Sequence, residues 1–105
     1  MCADKNKLNP LPVLKIDGPL TIYEVGDARK NMLEHLNTGK EFHMDLGQIP
    51  DCDTAGVQLL ISAKKTVEKS GKSFRVLQAS SAVINAVRLL GLSPDEALNF
   101  DGPDS

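Results

Sequence analysis

The feature that most constrains this chain is a change of hydrophobic period in its middle. In Phe42-His43-Met44-Asp45-Leu46, apolar and polar residues alternate, so Phe42, Met44 and Leu46 share one face of a strand while His43 and Asp45 share the other. After the loop Gly47–Cys52 the period lengthens. Val57, Leu60, Ile61, Lys64 (its aliphatic stem) and Val67 form one stripe of a helix from about Thr54 to Ser70, with Gly71 just past its end. The strand pattern then resumes in Ser73-Phe74-Arg75-Val76-Leu77. A strand-helix-strand run of this kind commits its strands to a mostly parallel sheet packed against helices.

The flanking segments extend the alternation. Val13–Ile16 reads as a strand, Asp17-Gly18 as a turn, and Leu20-Thr21-Ile22 as a returning strand, which predicts an opening antiparallel hairpin. Val25, Ala28, Met32 and Leu36, with Leu33 beside them, form the stripe of a first helix, ended by Asn37-Thr38-Gly39 with Gly39 as its left-handed cap. Ser80 caps a helix carrying Val83, Ile84, Val87 and Leu90, closed by Gly91. Ser93-Pro94-Asp95-Glu96 has the form of a capping box with Pro at the first helical position, opening a short helix over Leu98 and Phe100. The expected order is β-β-α-β-α-β-α plus that last helix. Residues 1–10 and 101–105 read as disordered tails around a single domain at 11–100.

Composition removes whole classes of function. The net charge is −2, Trp is absent and aromatics are 4%, so there is neither a basic footprint nor a stacking platform for nucleic acid. No apolar run approaches the roughly 18 residues of a membrane span, and Met1–Pro10 has no signal-peptide core. The expectation is a cytoplasmic protein without membrane insertion. Its two cysteines, Cys2 and Cys52, read as free thiols, with no CxxC spacing. No GxSxG, HExxH, Walker A or GxGxxG pattern occurs, and Gly71-Lys72-Ser73 lacks the upstream glycine of a P-loop. The chain is expected not to be an enzyme and to need no cofactor. His35, near the end of the first helix, is given a structural role.

Asp51-Cys52-Asp53-Thr54-Ala55-Gly56 stands out because it hands a loop over to a helix N-terminus, where backbone N–H groups lack partners and the dipole is positive. One reading is purely structural: Asp53 caps the helix, Thr54 opens its first turn and Gly56 permits close packing. A second reading makes Thr54 a phosphorylation site, where a dianion of about −1.5 to −2 charge would repel a docked partner. A third assembles His43, Asp45, Asp51 and Asp53 into a metal or catalytic site.

These residues resemble the STAS domain family of anti-sigma factor antagonists. Leu14–Ile22 looks like the family's opening hairpin. Asp45-Leu46-Gly47-Gln48-Ile49 followed by Asp53-Thr54-Ala55-Gly56-Val57-Gln58-Leu59-Leu60 looks like its central strand and switch helix. Gly71-Lys72 before Phe74-Arg75-Val76, then Ser80–Val83 and Leu89-Leu90-Gly91-Leu92, resemble its closing elements. The resemblance implies an α/β fold with a four- to five-stranded mixed sheet and helices mainly on one face. It also implies regulation by partner switching. The partner would be an anti-sigma factor, often a GHKL-type serine/threonine kinase, that phosphorylates the hydroxyl after the motif Asp, here Thr54. Asp51, Cys52, Asp53, Thr54, Ala55, Gly56 and Gln58 would then form the partner-binding surface. The acceptor is Thr where the best-characterised antagonists carry Ser, and Ala55 stands where a second hydroxyl is common. Asp-Thr-Ala-Gly sequences also resemble STAS proteins of chemosensory complexes and the small subunit of a lipid-transport ABC complex, which implies the alternative of a constitutive adaptor.

Overall fold

A computed structural model describes residues 13–36 and 41–100. Its elements are β1 (Val13–Lys15), α1 (Val25–His35), β2 (Glu41–Leu46), α2 (Thr54–Lys69), β3 (Ser73–Ala79), α3 (Ser81–Leu89) and α4 (Pro94–Leu98). The sheet order is β1-β2-β3, and both pairings are parallel. Two isolated parallel bridges, Leu20 to Cys52 and Val76 to Phe100, extend it locally. The sheet therefore has three strands among the described residues, fewer than the four or five expected. The α/β architecture and the parallel core are as the alternating periods require.

The core lies between one sheet face and the helices. Phe42, Met44 and Leu46 on β2 and Phe74 and Val76 on β3 are buried against Met32 of α1, Val57, Leu60 and Val67 of α2, Val83 and Val87 of α3, and Leu98 of α4. Phe42 and Phe74 are register partners and stack with ring centroids 5.8 Å apart. On β3, the exposed Ser73, Arg75 and Leu77 alternate with the buried Phe74 and Val76, so among the described residues the helices cover one face of this strand. The alternation breaks once. Met44 pairs with Val76 but Asp45 pairs with Gln78, so Leu77 is an extra residue in a bulge and β3 runs on to Ala79. His43 on the opposite face is nonetheless buried, because β2 is the central strand, and its Nε2 lies 3.0 Å from the Glu41 carboxylate.

The described helix ends follow the sequence with one exception. Gly71 has φ of +81°, and the amides of Gly71 and Lys72 donate to Glu68 and Val67 carbonyls, closing α2 as its glycine predicts. Ser80 caps α3 by accepting from the Val83 amide. The capping box at Ser93 does not form. Pro94 does begin α4, but the Ser93 side chain makes no cap bond. The helix is only 5 residues long and is pinned instead at its far end. There Asn99 takes left-handed φ and its amide donates to the Phe74 carbonyl. The cap expected at Gly39 lies outside the described residues, as do the tails. At the end of α1, the Lys72 ammonium donates to the Leu36 carbonyl.

The larger difference is at the opening hairpin. Gly18 is not left-handed, and Leu20 does not return antiparallel to β1. Leu20 bridges Cys52 in parallel instead, its amide donating to the Asp51 carbonyl at 2.8 Å and its carbonyl accepting from the Asp53 amide at 3.4 Å. Residues 21–24 then form a turn into α1. The cause is a set of local side-chain bonds within Thr21-Ile22-Tyr23-Glu24. The Glu24 carboxylate accepts from both the Thr21 amide (2.9 Å) and the Thr21 hydroxyl (2.5 Å), and the Thr21 hydroxyl accepts from the Tyr23 amide. Those bonds hold the Glu24 pKa below its ordinary value. The β-branched pair Thr21-Ile22 favours a strand, but the reciprocal side-chain bonds satisfy the amides locally and favour the turn.

Candidate functional site

The start of α2 is built by one carboxylate. Asp53, extended at φ −115° and ψ −173°, is the N-cap residue. Its Oδ1 accepts from the Gly56 amide at 3.1 Å, and its Oδ2 accepts from the Ile22 amide at 3.1 Å. A single side chain thus caps the helix and ties down a turn 31 residues upstream. The sequence foretold the cap but held no sign of the tie, because Ile22 was read as part of a strand.

The tie changes what the small residues mean. The close approach allowed by Gly56 is taken by the protein's own backbone. A Cβ on Gly56 would sit closer than 3.0 Å to the Leu20 carbonyl oxygen, 3.0 Å from Cys52 Sγ and 3.1 Å from Leu20 Cγ. Gly56 is buried and Ala55 half-buried, whereas Thr54, Asp51 and Gln58 are exposed. Thr54, at the first helical position, thus presents its side chain to solvent beside the positive end of a helix of 16 residues.

Cys52 is half-buried under the Leu20 strand, and its thiol donates weakly to the Asp53 carbonyl at 3.7 Å. Desolvation, then the Asp53 and Asp51 carboxylates, push its pKa from 9.0 to about 11. The thiol is therefore protonated at neutral pH and unsuited to nucleophilic or redox work. A rise of this size predicts alkylation of native Cys52 at pH 8 about 100-fold slower than that of an unperturbed thiol. Iodoacetamide labelling read by peptide mass spectrometry checks this, and equal native and denatured rates would refute the burial.

His43, Asp45, Asp51 and Asp53 do not assemble. Asp45 is engaged at the end of β2, its carboxylate accepting from the Gly47 amide at 2.9 Å. Among the described residues, no three His, Cys, Asp or Glu side chains converge as metal ligands.

Two residues that sequence reasoning missed border the site. Ile22 is 64% exposed and Tyr23 is 89% exposed. Both sit on the turn that Asp53 holds against the start of α2. The Thr and Glu three residues apart at Thr21 and Glu24 are the signal that would have placed them there.

The sequence matches the profile of the family described as "Mlab, STAS domain" over residues 7–97. The chain belongs to the STAS domain family. STAS domains are protein-interaction modules and are generally non-enzymatic. Among solved structures, a sulfate transporter family protein from Wolinella succinogenes is similar at 27% identity with a TM-score of 0.60, covering 82% of this chain and 69% of that one. No curated protein matches the chain. Among the described residues, no helix is long and apolar enough to cross a membrane.

Proposed function

We propose that this STAS domain is a non-enzymatic partner-switching module of the anti-sigma factor antagonist type, docking through the start of α2 and released by phosphorylation of Thr54. The observation that carries the reading is the exposed Thr54 hydroxyl at the first position of α2, where a protein surface can pack and a kinase can reach. Asp51, Cys52, Asp53, Thr54, Ala55, Gly56 and Gln58 define the surface, with Cys52 and Gly56 acting from beneath it. The partner is an anti-sigma factor or GHKL-type kinase in the cytoplasm, and the interacting unit is residues 11–100.

The switch follows from charge. A phosphate brings about −1.5 to −2 charge to a site already holding Asp51 and Asp53. The helix dipole returns only about 0.3–1 kcal/mol locally. A partner packed on Thr54 must then accommodate and desolvate a bulky dianion, with no refolding of the domain required. Thr54→Glu is expected to weaken partner binding at least tenfold, about 1.4 kcal/mol, while Thr54→Ala binds like the parent. Quantitative pull-down with the three proteins checks this, and equal capture by all three would count against a switch.

The likeness to a sulfate transporter family protein favours a second reading, a constitutive adaptor of a transporter or chemosensory complex such as a lipid-transport ABC assembly. Equal binding by Thr54→Glu together with an ATPase or chemoreceptor-linked partner in the captured complex supports it.

A further inference from the structure

The turn beside the start of α2 presents an apolar pair to solvent. Ile22 and Tyr23 are consecutive, and both are strongly exposed. Isolated exposed apolar residues are ordinary on protein surfaces. This pair differs in being held rather than loose. The Thr21 bonds to the Glu24 carboxylate fix the turn from within, and the Asp53 bond to the Ile22 amide fixes it to the start of α2. A rigid, exposed Tyr beside an Ile has the character of an interface anchor, because it buries a large area at little cost in side-chain freedom.

The charged side chains of the two segments that meet here are of one sign. Leu20–Asp27 and Asp51–Gln58 carry Glu24, Asp27, Asp51 and Asp53, and neither contains Lys, Arg or His. The carboxylates are close enough for Asp53 to act on Glu24, and for Asp51 and Asp53 both to act on Cys52. Such a collar repels an acidic surface and attracts a basic one.

We propose that Ile22 and Tyr23 form the apolar centre of the docking surface, and that the partner presents an apolar socket bordered by Lys or Arg side chains. The inference rests on the reading of the α2 start as the docking surface. It adds the residues that anchor the contact and the chemistry of the surface they fit. Thr54 then lies at the edge of the anchored contact. Phosphorylation there places a bulky dianion under the packed edge, so release comes from its volume and its desolvation, against the attraction of the basic rim.

The test uses the full chain in its own cells, with the photoreactive residue p-benzoylphenylalanine placed singly at position 23, at position 58, or at position 69 on the far end of α2. Irradiation and mass spectrometry of the crosslinked peptides identify the partner segment touched. The expected result is a strong crosslink from position 23 into a segment holding apolar residues together with Lys or Arg. The purified partner so identified should bind Tyr23→Ala at least tenfold more weakly than the parent, and should bind the parent more weakly as salt is raised. Crosslinks from position 58 without any from 23 leave the docking reading standing and overturn this inference. Crosslinks from 69 alone, or from none of the three, overturn both. A crosslink from 23 into an acidic segment, or a Tyr23→Ala protein that binds like the parent, overturns the inference.

Discussion

Gly56→Ala is expected to destabilise the domain by about 3 kcal/mol, an outsized effect for one added methyl group. Ala is ordinarily the better helix former by about 1 kcal/mol, so propensity alone predicts a gain. The loss arises because the new Cβ meets backbone. It falls closer than 3.0 Å to the Leu20 carbonyl oxygen, which is itself fixed in a hydrogen bond with the Asp53 amide. Either α2 shifts along its axis or the Leu20 strand lifts off. Lifting exposes Leu20, which is fully buried, and undoes the bridge to Cys52. Against a total stability of about 5–15 kcal/mol, this is a large fraction. With a urea slope of about 1–3 kcal/mol/M, the unfolding midpoint should fall by about 1–3 M. Gly26→Ala is the matched control. Gly26 also lies in the first turn of a helix, α1, but has nothing within 4 Å of the added carbon. That variant should be at least as stable as the parent. Equal midpoints for Gly56→Ala and the parent would show that the Leu20 backbone does not rest on α2.

Asp53→Ala and Asp53→Ser separate the two bonds made by one carboxylate. Ala removes both, with an expected loss of about 1–2 kcal/mol, because an N-cap contributes about 1 kcal/mol and the solvent-exposed bond to Ile22 adds less. Ser is itself a good N-cap, but its single short-armed oxygen cannot serve Gly56 and Ile22 together. The Ser variant should therefore lose about half as much. The residue-level signature is sharper than the total. Amide exchange at Ile22 should accelerate in both variants, and exchange at Gly56 in the Ala variant alone. An Ile22 amide as protected in Asp53→Ser as in the parent would remove the tie from the site. In the Ser variant the turn carrying Ile22 and Tyr23 is loosened while α2 keeps its start, so that protein also reports how far binding depends on a preformed surface.

The legible parts of the molecule were those with a local physical cause. The stripe Val57, Leu60, Ile61, Val67 gave α2 to within a residue, because burying one helix face leaves a period that any sequence window shows. Gly71, Gly91 and the Ser80 cap marked element ends through bonds that span only a few residues. Asp53 was legible as a cap for the same reason. Leu20-Thr21-Ile22 departs from its strand pattern because strand propensity and the Thr21–Glu24 side-chain bonds compete over the same residues. The second outweighs the first only once Leu20 is captured elsewhere. The β3 bulge at Leu77 left no mark in the alternation, because its cause lies in the register with β2.

By itself, then, the sequence determined a parallel α/β domain, the helix that opens at Thr54, and Asp53 as its cap, each fixed by patterns within a helix turn or a strand's length. The tertiary structure alone decided what surrounds that cap. The second oxygen of Asp53 reaches an amide 31 residues away. The space above Gly56 is filled by Leu20. The turn carrying Ile22 and Tyr23 is thereby held at the Asp53 cap. These are contacts between segments distant in the chain, and no period or propensity within either segment encodes them. They follow from packing one buried leucine against one glycine, which fixes the relation of two loops that separately carry only half of the site.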